Sequence, residues 1–137
     1  MGQLSARDMN VAYEDQVEMI LLSRKGLQYQ FFQDVVQAGF FTLKQWSKFL
    51  HITERTMQRY KKEQKKFEPI QSERILEIAK LQERGKVLFG SSEYFESWLN
   101  SNLVVLGGAK PVDFLDSTFG IDLIMDELGR IEHGILA

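Results

Sequence analysis

The chain has no cysteine, two prolines and two histidines in 137 residues. Without cysteine there is neither a disulfide nor a thiolate metal site, and the composition fits a reducing compartment such as the cytoplasm. His51 and His133 stand far apart with no ligand-like partners near them in sequence, so no metal is expected. No apolar run approaches the roughly 20 residues that span a bilayer, so no membrane partner is expected. The opening residues Met1 to Ser5 lack a basic stretch leading into an apolar core and do not read as a secretory signal. No repeat recurs at the period of a solenoid. Scarce proline, with glycine gathered at a few places, suits a helical protein.

Hydrophobic residues make up 44% of the chain, enough for a packed core in one domain or two very small ones. The net charge of −2 hides a strong polarity. Between Thr42 and Lys66 eight Lys/Arg face two Glu, whereas from Pro111 to Ala137 six acids face Arg130 alone. A basic middle and an acidic end suggest two surfaces with different partners, or two solvated helix faces.

Residues 1–25 show little regular apolar spacing until Val17, Ile20, Leu21 and Leu22, which fit a short helix or, over 19–22, a strand. We expect an N-terminal arm there, partly disordered or a short helix. Phe31, Phe32, Val35 and Val36 then mark one face of a helix from Gln28 to Ala38, stopped by Gly39. Thr42 reads as an N-cap for a helix bearing Leu43, Trp46, Phe49 and Leu50, and Thr53 as the cap of the next, from Glu54 to about Lys65. In that next helix Met57 and Tyr60 lie inward, and Arg55, Gln58, Arg59, Lys61 and Lys62 lie outward. Ser72 is expected to cap a long helix to Phe89, Ser92 a helix carrying Tyr94, Phe95 and Trp98, and Thr118 the last helix.

Two short helices joined by a tight turn, the second one basic outside, have the arrangement of a helix-turn-helix. Lys and Arg neutralise phosphates, and Arg, Gln and Thr near the start of the second helix can reach base edges. The candidate nucleic-acid residues are Thr53, Arg55, Thr56, Gln58, Arg59, Lys61 and Lys62. His51 occupies the turn position where glycine is usual. A solvated basic helix in a plain bundle explains the same stretch.

Gly107-Gly108 invites a phosphate-loop reading, but Lys110 is followed by Pro111 rather than Ser or Thr, so a turn into a short helix fits better. Asp113 and Asp116 have no ligand cluster around them and suit capping or ion pairing. In the last helix Ile121, Ile124, Leu128, Ile131 and Ile135 form a continuous stripe through Gly129, a glycine that suits close packing against another element. Arg130 and His133 sit where cations favour the helix dipole.

These residues also carry a resemblance. Phe89-Gly90, Trp98-Leu99, Leu106-Gly107-Gly108, the run Pro111 to Ser117, Gly120 and the run Leu128 to Gly134 follow in the order found in the toxin-binding domain of the Xre/MbcA/ParS antitoxin family. Thr42 to Lys62, including Glu54-Arg55-Thr56-Met57-Gln58-Arg59, is similar to that family's Xre-type helix-turn-helix. His51, Trp46 and Phe49 depart from its usual small residues. The resemblance implies an all-α chain: a helix-turn-helix domain over 26–88, then a small helical toxin-binding domain over 89–137. It implies an antitoxin of a type II toxin–antitoxin pair, not an enzyme and without a cofactor. The implied partners are a RES-domain toxin that consumes NAD or transfers ADP-ribose, and the promoter DNA of its own operon. A homodimer within a larger complex is implied as well. On this basis Arg130, Glu132, His133, Gly134, Ile135, Leu136 and Ala137 are the expected toxin contacts. The alternative is a stand-alone transcriptional regulator whose C-terminal domain only oligomerises. An enzyme using Asp113, Asp116 or His133 lacks any nucleophile–base constellation.

Overall fold

The computed structural model describes residues 16–134; Ile135, Leu136 and Ala137, expected above to touch a partner, lie outside them. Among the described residues the regular structure is all helical. In order, α1 is Gln16–Lys25, α2 Tyr29–Ala38, α3 Leu43–Leu50, α4 Glu54–Glu63, α5 Pro69–Phe89, α6 Ser92–Leu99 and α7 Thr118–Glu132. Two 3-10 turns, Val104–Leu106 and Pro111–Phe114, join α6 to α7. The contacts divide the chain into two units, with the boundary along the sequence falling between Lys80 and Leu81 of α5.

The first unit is built around aromatic rings. Phe32 and Trp46 are fully buried, and Phe32 meets Trp46 edge-on at 5.2 Å and Phe67 at 5.1 Å. Phe41 meets Phe49 edge-on at 5.1 Å. Edge-to-face pairs of this kind add about 0.5–1.5 kcal/mol each beyond the area they bury. Trp46 and Phe49 are therefore matched by other rings supplied by this same chain. Burial also pushes the Tyr29 phenol above its ordinary value.

The caps explain where the helices start, with three corrections. Ser72 does not begin α5. Pro69 occupies its first turn, where a missing N–H costs nothing, and the Glu68 N–H donates to Gln71 Oε1 at 3.2 Å. Ser72 is instead fully buried and ties the α1–α2 turn: the Leu27 N–H donates to its Oγ at 2.9 Å. Ser91, not Ser92, caps α6, and Ser117, not Thr118, caps α7. In each of these two cases adjacent hydroxyls compete, and the one with extended backbone wins because only it can accept from the N–H three residues on.

The second unit packs α6, α7 and the second 3-10 turn with the end of α5. Phe95, Leu99, Leu115, Ile124 and Leu128 are fully buried. The Phe95 ring lies flat against Gly85 of α5: a Cβ built there would stand 2.3 Å from two ring atoms. Gly85 is thus a close-approach position, filled by an aromatic ring.

Candidate docking surfaces for nucleic acid and protein

The first surface is the α3–α4 pair. Thr42 and Gln45 form a reciprocal capping box at the start of α3, and Thr53 Oγ1 accepts from the Thr56 N–H at 3.0 Å at the start of α4. Between them His51 adopts φ 58°, ψ 37°, and its N–H closes onto the Lys48 carbonyl. The turn therefore takes the left-handed conformation that its position requires, with histidine in place of glycine. Arg74 of α5 fixes the pair from behind, donating from Nη1 to the Phe49 carbonyl at 2.9 Å.

Met57 and Tyr60 are buried, so the opposite face of α4 is open. Arg55, Gln58, Arg59, Lys61 and Lys62 are all exposed on it, together with Thr53 at the cap. Thr56 is half-buried and its hydroxyl accepts from Thr53 Oγ1 at 2.9 Å, so both threonines work first as the cap. Gln64 ends α4 in a second left-handed conformation, and the Lys65 N–H returns to the Tyr60 carbonyl. Beyond that cap, Lys65 and Lys66 are exposed cations that were not among the expected contacts. Lys65 Nζ sits 4.9 Å from the centroid of the buried Tyr60 ring. The charge run was visible in sequence; the turn that fixes Lys65 was not.

The second surface belongs to α7 and the turns before it. The stripe residues Ile121, Ile124 and Leu128 are buried, and Ile131 is half-buried. Glu127 is buried as well and pairs with Arg130, so one of the acids counted in the acidic end is an internal partner of the expected contact Arg130. Glu132 lies 3.7 Å from Arg84 Nη2, and Arg84 Nη1 donates to the Met125 carbonyl at 3.5 Å. The close approach at Gly129 is that same guanidinium: a Cβ there would meet Arg84 Nη2 at 3.3 Å. Arg84 was missed in sequence because it belongs to a different helix, far from Gly129 along the chain. His133 ends α7, its N–H donating to the Gly129 carbonyl, and Gly134 turns left-handed at φ 70°. The structure brings Arg130, Glu132, His133 and Gly134 together at one helix end.

Other exposed features complete this unit. Asp113, Asp116, Asp122 and Asp126 are all exposed. Among the described residues no group of His, Asp and Glu is placed to hold a metal ion. None of the described helices is long and apolar enough to cross a membrane.

Two adjoining segments match known domain families. Residues 18–80 match the antitoxin Xre-like helix-turn-helix domain, and residues 84–134 match the antitoxin Xre/MbcA/ParS C-terminal toxin-binding domain. The chain belongs to the Xre/MbcA/ParS antitoxin family. The helix-turn-helix match starts at residue 18, so most of α1 falls within the family pattern, ahead of the Gly26 start expected from sequence. Among relatives of this antitoxin family member, a Prs ADP-ribosylating antitoxin from Sphingobium sp. (strain YBL2) is 36% identical, aligned over 48% of this chain and 47% of that protein. Antitoxin Xre from Yersinia enterocolitica serotype O:8 / biotype 1B (strain NCTC 13174 / 8081) is 28% identical, over 63% of this chain and 59% of that protein. The chain spans about half the length of the curated relatives it matches.

Proposed function

We propose that the protein is the antitoxin of a type II toxin–antitoxin pair, acting by binding rather than by catalysis, in the cytoplasm. Its C-terminal unit neutralises a RES-domain toxin that consumes NAD or transfers ADP-ribose from it, by covering the toxin's active site. Its helix-turn-helix represses the operon that encodes both proteins, with the chain working as a homodimer inside a larger complex. The observation that carries this reading is the succession of the two family matches on one short chain, a helix-turn-helix followed by a toxin-binding domain.

The chemistry of the two surfaces supports it. Arg55, Gln58 and Arg59 project from the outer face of α4, where they can read base edges while Lys61 and Lys62 neutralise phosphates. The C-terminal unit is acidic outside, which suits a cationic cleft made to hold the phosphates of a dinucleotide. Arg130, Glu132, His133 and Gly134, leading into Ile135, Leu136 and Ala137, form the part that enters or rims that cleft. The name of the Sphingobium relative, a Prs ADP-ribosylating antitoxin, supports ADP-ribose chemistry in the toxin partner.

Co-expression with the product of the adjacent gene, followed by tandem purification and a growth assay, tests the reading. A toxic neighbour rescued by this chain, in a stable complex, is the expected result. Absence of any complex favours a stand-alone regulator. A truncation before Leu128 that still neutralises the toxin overturns the placement of the blocking segment at the end of α7.

A further inference from the structure

α1 is apolar on two faces, and only one of them is covered among the described residues. Leu22 and Ser23 are buried and Met19 is half-buried, all on the inward side. On the opposite side Val17, Ile20 and Leu21 are exposed by 64%, 47% and 46%, and exposed Arg24 continues the row. Spacings of three, one and three residues set these four on one stripe of the helix. A helix that is apolar all round is normally buried all round, so the outer stripe calls for a cover of its own.

The same helix is fixed to the helix-turn-helix. In the turn after it, the Leu27 N–H donates to Ser72 Oγ and the Phe67 N–H donates to the Leu27 carbonyl, each at 2.9 Å. Gly26 is held there at φ 83°, and a Cβ on it would stand 2.5 Å from the Phe67 carbonyl oxygen. Phe67 lies just past α4 and packs on the Tyr60 ring of that helix at 5.3 Å. A body docked on α1 is therefore held at a set position relative to α4.

Three features select a second copy of the chain as the cover. The stripe is symmetric about its midpoint, so a two-fold axis between Ile20 and Leu21 makes it complementary to itself. Charge runs from Glu18 in the first turn of α1 to Arg24 and Lys25 in the last. Antiparallel packing sets the acidic end of each helix against the basic end of the other, whereas parallel packing sets like against like. Most of α1 also lies in the segment that matches the helix-turn-helix domain, outside the one that matches the toxin-binding domain, and helix-turn-helix readers address two half-sites as dimers. We propose that α1 is the dimer interface of the helix-turn-helix unit, two copies packing their α1 helices antiparallel about that axis. Ile20 then meets Leu21 of the second copy, Val17 lies on the aliphatic stem of its Arg24, and the two α4 helices are carried at a fixed separation. The inference rests on the homodimer reading above and assigns it a surface. The stripe is short, so the association belongs with interfaces below about 1,200 Å² in total and depends on concentration.

The test is sedimentation of the full chain over a wide concentration range, beside a Val17→Gln/Ile20→Gln/Leu21→Gln variant that keeps good helix formers on the stripe. The variant is expected to dimerise roughly tenfold or more weakly, with an unchanged melting temperature at concentrations where the unsubstituted chain is monomeric. Because the chain has no cysteine, single introduced thiols map the geometry. Leu21→Cys, beside the axis, should form a disulfide between copies. Val17→Cys should not, since its two copies would stand about 10 Å apart along the helices. A full chain that stays monomeric at every concentration overturns the homodimer reading and this interface with it. Dimerisation undiminished in the triple variant overturns the interface alone, and equal cross-linking of both thiols overturns the antiparallel pairing. A lower melting temperature of the monomeric variant identifies the chain's own residues as the cover, and lost toxin affinity with dimerisation intact identifies the toxin; each overturns the proposal.

Discussion

Substituting Gly85→Ala sets two helix effects against each other, and the structure decides between them. Alanine is favoured over glycine in a helix interior by about 1 kcal/mol, so propensity alone predicts a more stable protein. The added methyl, however, would lie 2.3–2.4 Å from three atoms of the Phe95 ring. Carbon atoms pack at about 3.5–4.0 Å, so the ring must withdraw by about 1 Å or more. It has little room to do so: Phe95 is fully buried and stacks on Phe89 at 5.7 Å and Trp98 at 6.2 Å. Overpacking costs about 1–3 kcal/mol, and the rigid ring puts this site at the upper end. The expected net loss is about 2 kcal/mol after the helix gain of about 1 kcal/mol is returned. Urea titration followed by Trp98 fluorescence, in a Trp46→Phe background that silences the other indole, reads this unit selectively. With a slope of about 1–2 kcal/mol/M for a unit this small, the midpoint should fall by about 1–2 M. A Gly85→Ala/Phe95→Leu chain should recover most of it. A midpoint unchanged or raised by Gly85→Ala refutes the packing argument.

Other outcomes follow from the two surfaces. Arg55→Ala with Arg59→Ala should abolish promoter retention in a mobility-shift assay while toxin binding persists, and retained promoter binding would refute α4 as the reading helix. Lys61→Ala with Lys62→Ala should weaken binding to every sequence alike and flatten the log–log salt dependence by about 0.9 for each phosphate no longer neutralised. Thr53→Ala should cost about 0.5–2 kcal/mol in denaturation, because α4 loses the side chain that accepts the Thr56 N–H. Arg84→Ala should speed amide exchange at residues 129–134 relative to α6, since it releases both Glu132 and the Met125 carbonyl.

The helices from Tyr29 to Glu63 were legible because each carries its own punctuation: Gly39, Thr42, His51 and Thr53 stand where the chain must change direction. The outward face of α4 followed from the inward spacing of Met57 and Tyr60. Cap choice was less legible where two hydroxyls adjoin, as at Ser91-Ser92 and Ser117-Thr118, because backbone conformation rather than side-chain chemistry selects between them. Ser72 looked like a cap because serine usually is one. Its real partner, the Leu27 N–H, is 45 residues away and leaves no local trace. Separation along the chain likewise hid the bond of Arg84 to α7 and the seat of Phe95 on Gly85. Glu127 was counted as surface charge because a buried, paired carboxylate and a solvated one occupy the same helical register.

The two left-handed caps at His51 and Gln64 confine α4 to ten residues. At 1.5 Å per residue that is about 15 Å of helix, the length of roughly four or five base pairs. A word of four letters recurs by chance about once in every 256 positions, so a genome of about a million or more competing sites holds thousands of copies. In the DNA-reading role proposed above, one such helix carries about eight bits of address, against roughly twenty bits for singling out one operator among that many sites, so that role calls for several such helices acting together.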